Sequence, residues 1–191
     1  MKKLFILGKI SKSDARAIAV VGTRKMSQRG RRLTLKFVKE LVKAGFTIVS
    51  GLAVGIDTVA HETALAAGGR TIAVLGSGID VIYPYRNKTL AENIVKSGAV
   101  VSSFAKGTRP LGKNFLARNR IIVNLSKAVL VIEGARRSGT LSTAAWAAND
   151  GKEVFAIPGS EATDWLIAEG ANVANDPADV IEYLQNAVNH R

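Results

Sequence analysis

Six short runs of consecutive apolar residues recur along the chain: Ala17–Val21, Thr47–Ser50, Thr71–Leu75, Ala99–Ser102, Ala128–Ile132 and Glu153–Ile157. They are continuous and rich in Val and Ile rather than alternating. Strands covered on both faces read this way, as in a parallel sheet. Each run is followed by a glycine-containing turn and a stretch of helix length, the room a right-handed crossover needs. The pattern predicts an α/β fold: a doubly wound, mostly parallel sheet with helices on both faces. A final helix is expected at about Pro177–Val188, with Asp176 as its cap and Pro177 at its first position. The 191 residues are expected to form a single domain, residues 1–191.

The stretch Arg31 to Ala44 shows the helical period. Leu33, Phe37, Val38, Leu41 and Val42 are apolar, and Arg32, Lys36, Lys39 and Lys43 form a basic stripe away from much of that set. A solvated helix face is the favoured reading; an electrostatic flank for a nucleic acid is the other.

Charge changes the picture. There are 27 Lys and Arg against 15 Asp and Glu, a formal +12 that favours a polyanionic partner. Cysteine is absent and there are two histidines, so disulfides, thiolate sites and histidine-cluster metal sites are excluded. No metal or cofactor is expected. The opening apolar run stops at Gly8 and Lys9, too short for an export signal, and a cytoplasmic location is expected.

In a parallel sheet the loops that follow strands emerge at one edge, where ligands of open α/β sheets bind. That edge should collect Gly22-Thr23-Arg24, Gly51 to Asp57, Gly76-Ser77-Gly78, Ser138-Gly139-Thr140 and Pro158-Gly159-Ser160. Glycines let backbone N–H groups approach phosphate oxygens, and a following helix start adds its dipole. The loops match neither GxGxxG nor a GxxxxGK[ST] P-loop, which disfavours an ordinary dehydrogenase or ATPase. Arg24, directly after the first of these strands, is placed to fork onto a phosphate. Asp57 and His61 share a helix face; a helix cap beside a packed histidine is favoured over a metal or acid–base pair, because no third ligand is apparent.

The segment from Arg109 to Arg120 places Arg109, Lys113, Arg118 and Arg120 around Phe115. Cations along a backbone plus an aromatic for stacking are the ingredients of single-strand recognition. Phe115 reads equally as a core staple. Trp146, in an Ala-rich helix, suits core or a subunit interface.

The strings Val21-Gly22-Thr23-Arg24, Ser50-Gly51-Leu52-Ala53-Val54-Gly55-Ile56-Asp57 with Ala60-His61, Tyr83-Pro84, Phe115 with Arg118-Asn119-Arg120, Ser138-Gly139-Thr140 with Thr143-Ala144, and Val154 to Gly159 occur in an order and spacing that resemble the bacterial DNA-processing family DprA, also called Smf. The likeness runs from about Ala17 to Leu184. It implies a Rossmann-like domain that binds single-stranded DNA without catalysis, usually as a homodimer, protects DNA in natural transformation and helps load the RecA recombinase. The DNA contacts it implies fall on Gly22, Thr23, Arg24, Ser50, Gly51, Leu52, Ala53, Gly55, Lys113, Phe115, Arg118, Asn119, Arg120, Ser138, Gly139 and Thr140. Many members add a small helical domain and a winged helix; this chain is expected to hold the core alone. Arg29, and Ser103-Phe104, depart from the family pattern.

A second reading is a LOG-type nucleotide phosphoribohydrolase. Its glycine loop would match Arg136-Arg137-Ser138-Gly139-Thr140, but Thr143 stands where those enzymes place a glutamate. Without that carboxylate an oxocarbenium-type cleavage loses its stabiliser, and Glu133 is the nearest substitute in sequence. A small-nucleotide sensor using the same edge is the third.

Overall fold

The computed structural model describes residues 3–136 and 138–189. Seven parallel strands form most of one eight-stranded sheet: β2 (Ala17–Val21), β3 (Thr47–Ser50), β4 (Thr71–Val74), β5 (Ala99–Ser102), β6 (Ala128–Val131), β7 (Glu153–Ala156) and β8 (Asn172–Val173). The eighth, β1 (Phe5–Gly8), pairs antiparallel with β5 at one margin, and the order is β1-β5-β4-β3-β2-β6-β7-β8.

The helices are α1 (Gln28–Lys43), α2 (Ile56–Ala66), α3 (Lys88–Ser97), α4 (Gly112–Asn124), α5 (Gly139–Asn149), α6 (Glu161–Ala168) and α7 (Pro177–Asn189). Alternate residues of each strand face opposite layers. On β2, Ile18 and Val20 pack with Phe37, Val38 and Leu41 of α1 and Ile56 and Ala60 of α2. Ala17, Ala19 and Val21 pack with Ile122 and Val123 of α4 and Ala144 and Ala147 of α5. A third cluster seats Ala91 and Ile94 of α3 on Ala73 and Val100. Both faces are covered, which is why the strands read as continuous apolar runs. Rossmann-like doubly wound topology follows, with strand order reversing between β2 and β6.

The expected strands match β2 to β7, three running one residue long at Leu75, Ile132 and Ile157. β1 and β8 were not anticipated: β1 is an exposed edge strand and β8 has two residues. No helix among the described residues is long and apolar enough to cross a membrane.

Candidate nucleic-acid interface

All five glycine loops follow parallel strands and so share one edge, but they differ in what their backbone groups do. Three are sewn together at the point where strand order reverses. Thr23 N–H donates to Glu133 O at 2.8 Å, and Ile56 N–H donates to Thr23 O at 3.2 Å. Gly22 permits this closure: a Cβ there would stand 2.6 Å from Ile56 Cγ1 and 2.9 Å from Glu133 O. Gly55, at φ +86°, brings its loop against the backbone of Thr23 and Arg24, where a Cβ would collide with Thr23 O. Leu52 adopts φ +58° although it is not glycine, and is fully buried. Such a conformation costs free energy and persists only where its surroundings enforce it.

The result is a cavity of about 490 Å³ directly above β2 and β6. Of the residues singled out in the sequence, Gly22, Thr23, Arg24, Ala53, Phe115, Arg118, Asn119, Ser138, Gly139 and Thr140 line it. Ser50 lies beneath, its hydroxyl donating to Val20 O at 2.7 Å. Gly51, Leu52 and Gly55 shape the loop without lining the cavity. Lys113 is exposed in the first turn of α4. The cavity also takes in Asp57, Gly112, Leu116 and Thr143. Leu116 follows Gly112 by one helical turn, a spacing that could have flagged it.

Two arginines depart from the expectation of direct phosphate contacts. Arg118 is 3% exposed; its Nη1 donates to Val74 O at 2.7 Å and to Gly51 O. Burial lowers its pKa to about 10 against the support of Asp57, so it stays cationic at neutral pH. Arg118 is thus a buried strut under the Gly51 loop. Arg120 points elsewhere and pairs with Asp150 at 2.7 Å. The helical period accounts for both: Arg118 falls on the buried face between Phe115 and Ile122, and Arg120 does not.

Asp57 is not the cap of α2, since Gly55 holds that position. It instead accepts Gly51 N–H at 3.2 Å, and burial pushes its carboxyl above the ordinary value although Arg118 and backbone N–H groups oppose this. His61 packs as expected. Its Nδ1 bonds Thr71 Oγ1 at 2.7 Å, and that hydroxyl gives its proton to Ile48 O. His61 Nδ1 is therefore the donor, and burial, then the nearby Arg118 charge, lowers its pKa to about 3. The ring is neutral.

The helix starts separate open from closed loops. At α1, Ser27 Oγ accepts Gly30 N–H at 2.9 Å and Glu133 Oε2 accepts Ser27 N–H at 3.1 Å. At α6, Ser160 and Thr163 form a capping box and Asp164 accepts Gly159 N–H at 2.7 Å. The starts of α4 and α5, at Leu111 and Ser138, carry no side-chain cap. Both flank the cavity. The Ser138 hydroxyl oxygen is buried with no hydrogen-bond partner among the described residues. Arg137, part of the LOG comparison, lies outside those residues.

Nearly the whole chain resembles known proteins in sequence and fold. Protein Smf of Escherichia coli is 46% identical over 189 residues, covering 95% of this chain and 50% of that protein. The crystal structure of DNA processing protein A from Streptococcus pneumoniae superposes with TM-score 0.89 at 42% identity, over 94% of this chain and 65% of that one. DNA processing protein A from Helicobacter pylori, whose structure is described for its unique single-stranded DNA binding mode, gives TM-score 0.89 at 32% identity, over 97% and 88%. The chain thus spans about half the length of the Escherichia coli relative. The sequence profile described as DNA recombination-mediator protein A matches residues 2–185, and the chain belongs to that family, the DprA/Smf DNA-processing proteins.

Proposed function

We propose that the switch-point cavity binds single-stranded DNA, its phosphates held by Arg24 and the open starts of α4 and α5. The observation that carries this reading is the contrast among helix starts. Those of α1 and α6 are closed by the protein's own side chains, whereas α4 and α5, beside the cavity, carry no side-chain cap; α2, also beside it and uncapped, gives its Ile56 N–H to Thr23 O. An uncapped helix start presents N–H donors and a partial positive charge to an anion. Arg24 is exposed beside them. Ser138 and Asn119 add polar groups to the wall, and Lys113 adds charge at the rim. The single-strand binding described for the Helicobacter pylori relative supports the same choice.

The hydrolase reading is weaker. Thr143 Oγ1 donates to Gly139 O at 3.1 Å, and the Glu133 carboxylate is engaged at α1. Asp57 lines the cavity but is held by Gly51 and lies beside Arg118. The protein therefore acts by binding and not by cleavage. A homodimer, protection of DNA and loading of the RecA recombinase complete the proposal. Val180 and Leu184 of α7 are core residues, and Trp146 is partly buried against the core.

The test is equilibrium binding to single-stranded and duplex oligonucleotides across a salt series. Preference for the single strand, with log affinity falling about 0.7 per contacted phosphate per log unit of salt, supports the reading. A flat salt response or equal duplex binding overturns it.

A further inference from the structure

Phe115 is the aromatic that the sequence offers for base stacking, but its ring is already surrounded. The Arg24 guanidinium lies over it, 5.0 Å from the centroid, and the Arg118 guanidinium is 5.8 Å away. Gly76 abuts it so closely that a Cβ there would stand 2.7 Å from Phe115 Cδ1. Tyr83 leans on it with ring centroids 5.7 Å apart at 45°. A base stacking on Phe115 would have to displace one of these neighbours.

Tyr83 is in the opposite situation. It lies outside the cavity wall, 46% exposed, braced by Phe115 and offering the rest of its ring to solvent. Leu116, on the cavity rim, is 48% exposed. We infer that Tyr83 is the base-stacking platform of the site, and that Phe115 is the pedestal that orients both Tyr83 and Arg24. The occupant is a nucleobase of the single strand whose phosphate Arg24 holds, because the phenol ring and the guanidinium flank the same phenyl ring. An aromatic of this kind accepts any base, since every base has a π-face. This assignment rests on the single-strand reading above.

The experiment compares a short labelled oligothymidylate with an abasic deoxyribose-phosphate oligomer of equal length, using the wild type, Tyr83→Ala and Tyr83→Phe. One lost stacking contact should weaken oligothymidylate binding by Tyr83→Ala about tenfold. Tyr83→Phe should bind like the wild type. Abasic-oligomer affinity should be unchanged in both variants, and the salt slope should not move, because no charge is removed. Equal losses on the two oligomers, an altered slope, or no loss on either overturns the assignment while leaving single-strand binding intact. Failure of the wild type to bind either oligomer overturns the single-strand reading and this assignment together. The Tyr83→Phe variant guards against misfolding: if both variants lose affinity alike, the ring is not acting as a stacking surface.

Discussion

At the end of the sheet where the parallel strands begin lies a cavity of about 1150 Å³, more than twice the volume of the one at the switch point. Asp14, Lys127, Asp150, Lys152 and Glu153 are among the residues that line it, so it is neither small nor free of charge. Most of its charges, however, are spent on the protein. Arg70 forks onto Asp14 with two bonds of 2.9 Å and also reaches Ser97 O and Lys9 O. Lys152 Nζ donates to Val123 O and Ser126 O at the end of α4, at 2.5 and 2.6 Å. Arg120 pairs with Asp150. Helix C-termini gather at this end of a doubly wound sheet, and their carbonyls attract cations. At the other end helix N-termini gather, so an arginine there adds to a positive field instead of being neutralised. Volume does not single out the switch-point cavity; an exposed arginine among helix N-termini does.

The largest effect should come from Arg118, a cation of the switch-point end that is buried and spent internally. Arg118→Ala leaves the buried Gly51 and Val74 carbonyls unpaired and Asp57 without its neighbouring cation, and each buried polar group left unsatisfied costs about 1–3 kcal/mol. Denaturant unfolding should show a fall of that order. A loss of DNA affinity with unchanged stability would instead make Arg118 a direct phosphate contact.

Arg24→Ala should do the reverse. A charge-assisted bond to phosphate is worth about 1.5–3 kcal/mol, which is about a ten- to hundredfold loss of single-strand affinity. The melting temperature should stay within a degree or two, since Arg24 is exposed and enters none of the salt bridges among the described residues. A melting shift with affinity preserved would mark a structural role.

How far the sequence reveals this division depends on how local each cause is. The six main strands were legible because both faces of each are buried, a fact written into consecutive residues such as Ala17 to Val21. Strand β1 was not: Ile6 and Leu7 are 46% and 44% exposed, so its four residues carry no burial pattern. Arg24 was legible because it directly follows a strand. That the Phe115 ring is already flanked was not, because Gly76 and Tyr83 reach it from other parts of the chain. Nor could sequence tell the open helix start at Ser138 from the closed one at Ser27. The closing group, Glu133, comes from the end of β6, 106 residues away.

At the opposite end, Asp14 gives a pH signature. Burial raises its pKa, but the bonds from Arg70, Ser11 and Thr47 outweigh this and hold the carboxyl below its ordinary value. A depressed folded-state pKa contributes stability above the unfolded value of about 3.9, lost as pH falls through the folded one. Asp14→Asn should therefore cost about 1 kcal/mol at neutral pH, and its gap from the wild type should close in acid. DNA affinity should not change. A stability gap independent of pH would remove Asp14 as the titrating group.

The smallest effect is expected on the basic stripe of α1, and it is the control for the whole comparison. Lys36 pairs with Asp176 and Lys43 with Glu40, which leaves Lys39 as the exposed cation between them. It lies mid-helix, several turns from the start of α1 and therefore from the cavity edge. At physiological salt the field of an exposed charge is largely screened beyond about 8 Å. Lys39→Ala removes the same formal charge as Arg24→Ala, so a partner that senses only the net +12 would register the two alike. A partner gripped at the switch point would not. The expectation is less than about a threefold loss of single-strand affinity for Lys39→Ala, with the salt slope unchanged, against the steep loss and shallower slope of Arg24→Ala. Equal small losses from both would mean that attraction is spread over the surface and that the switch-point cavity holds no privileged phosphate.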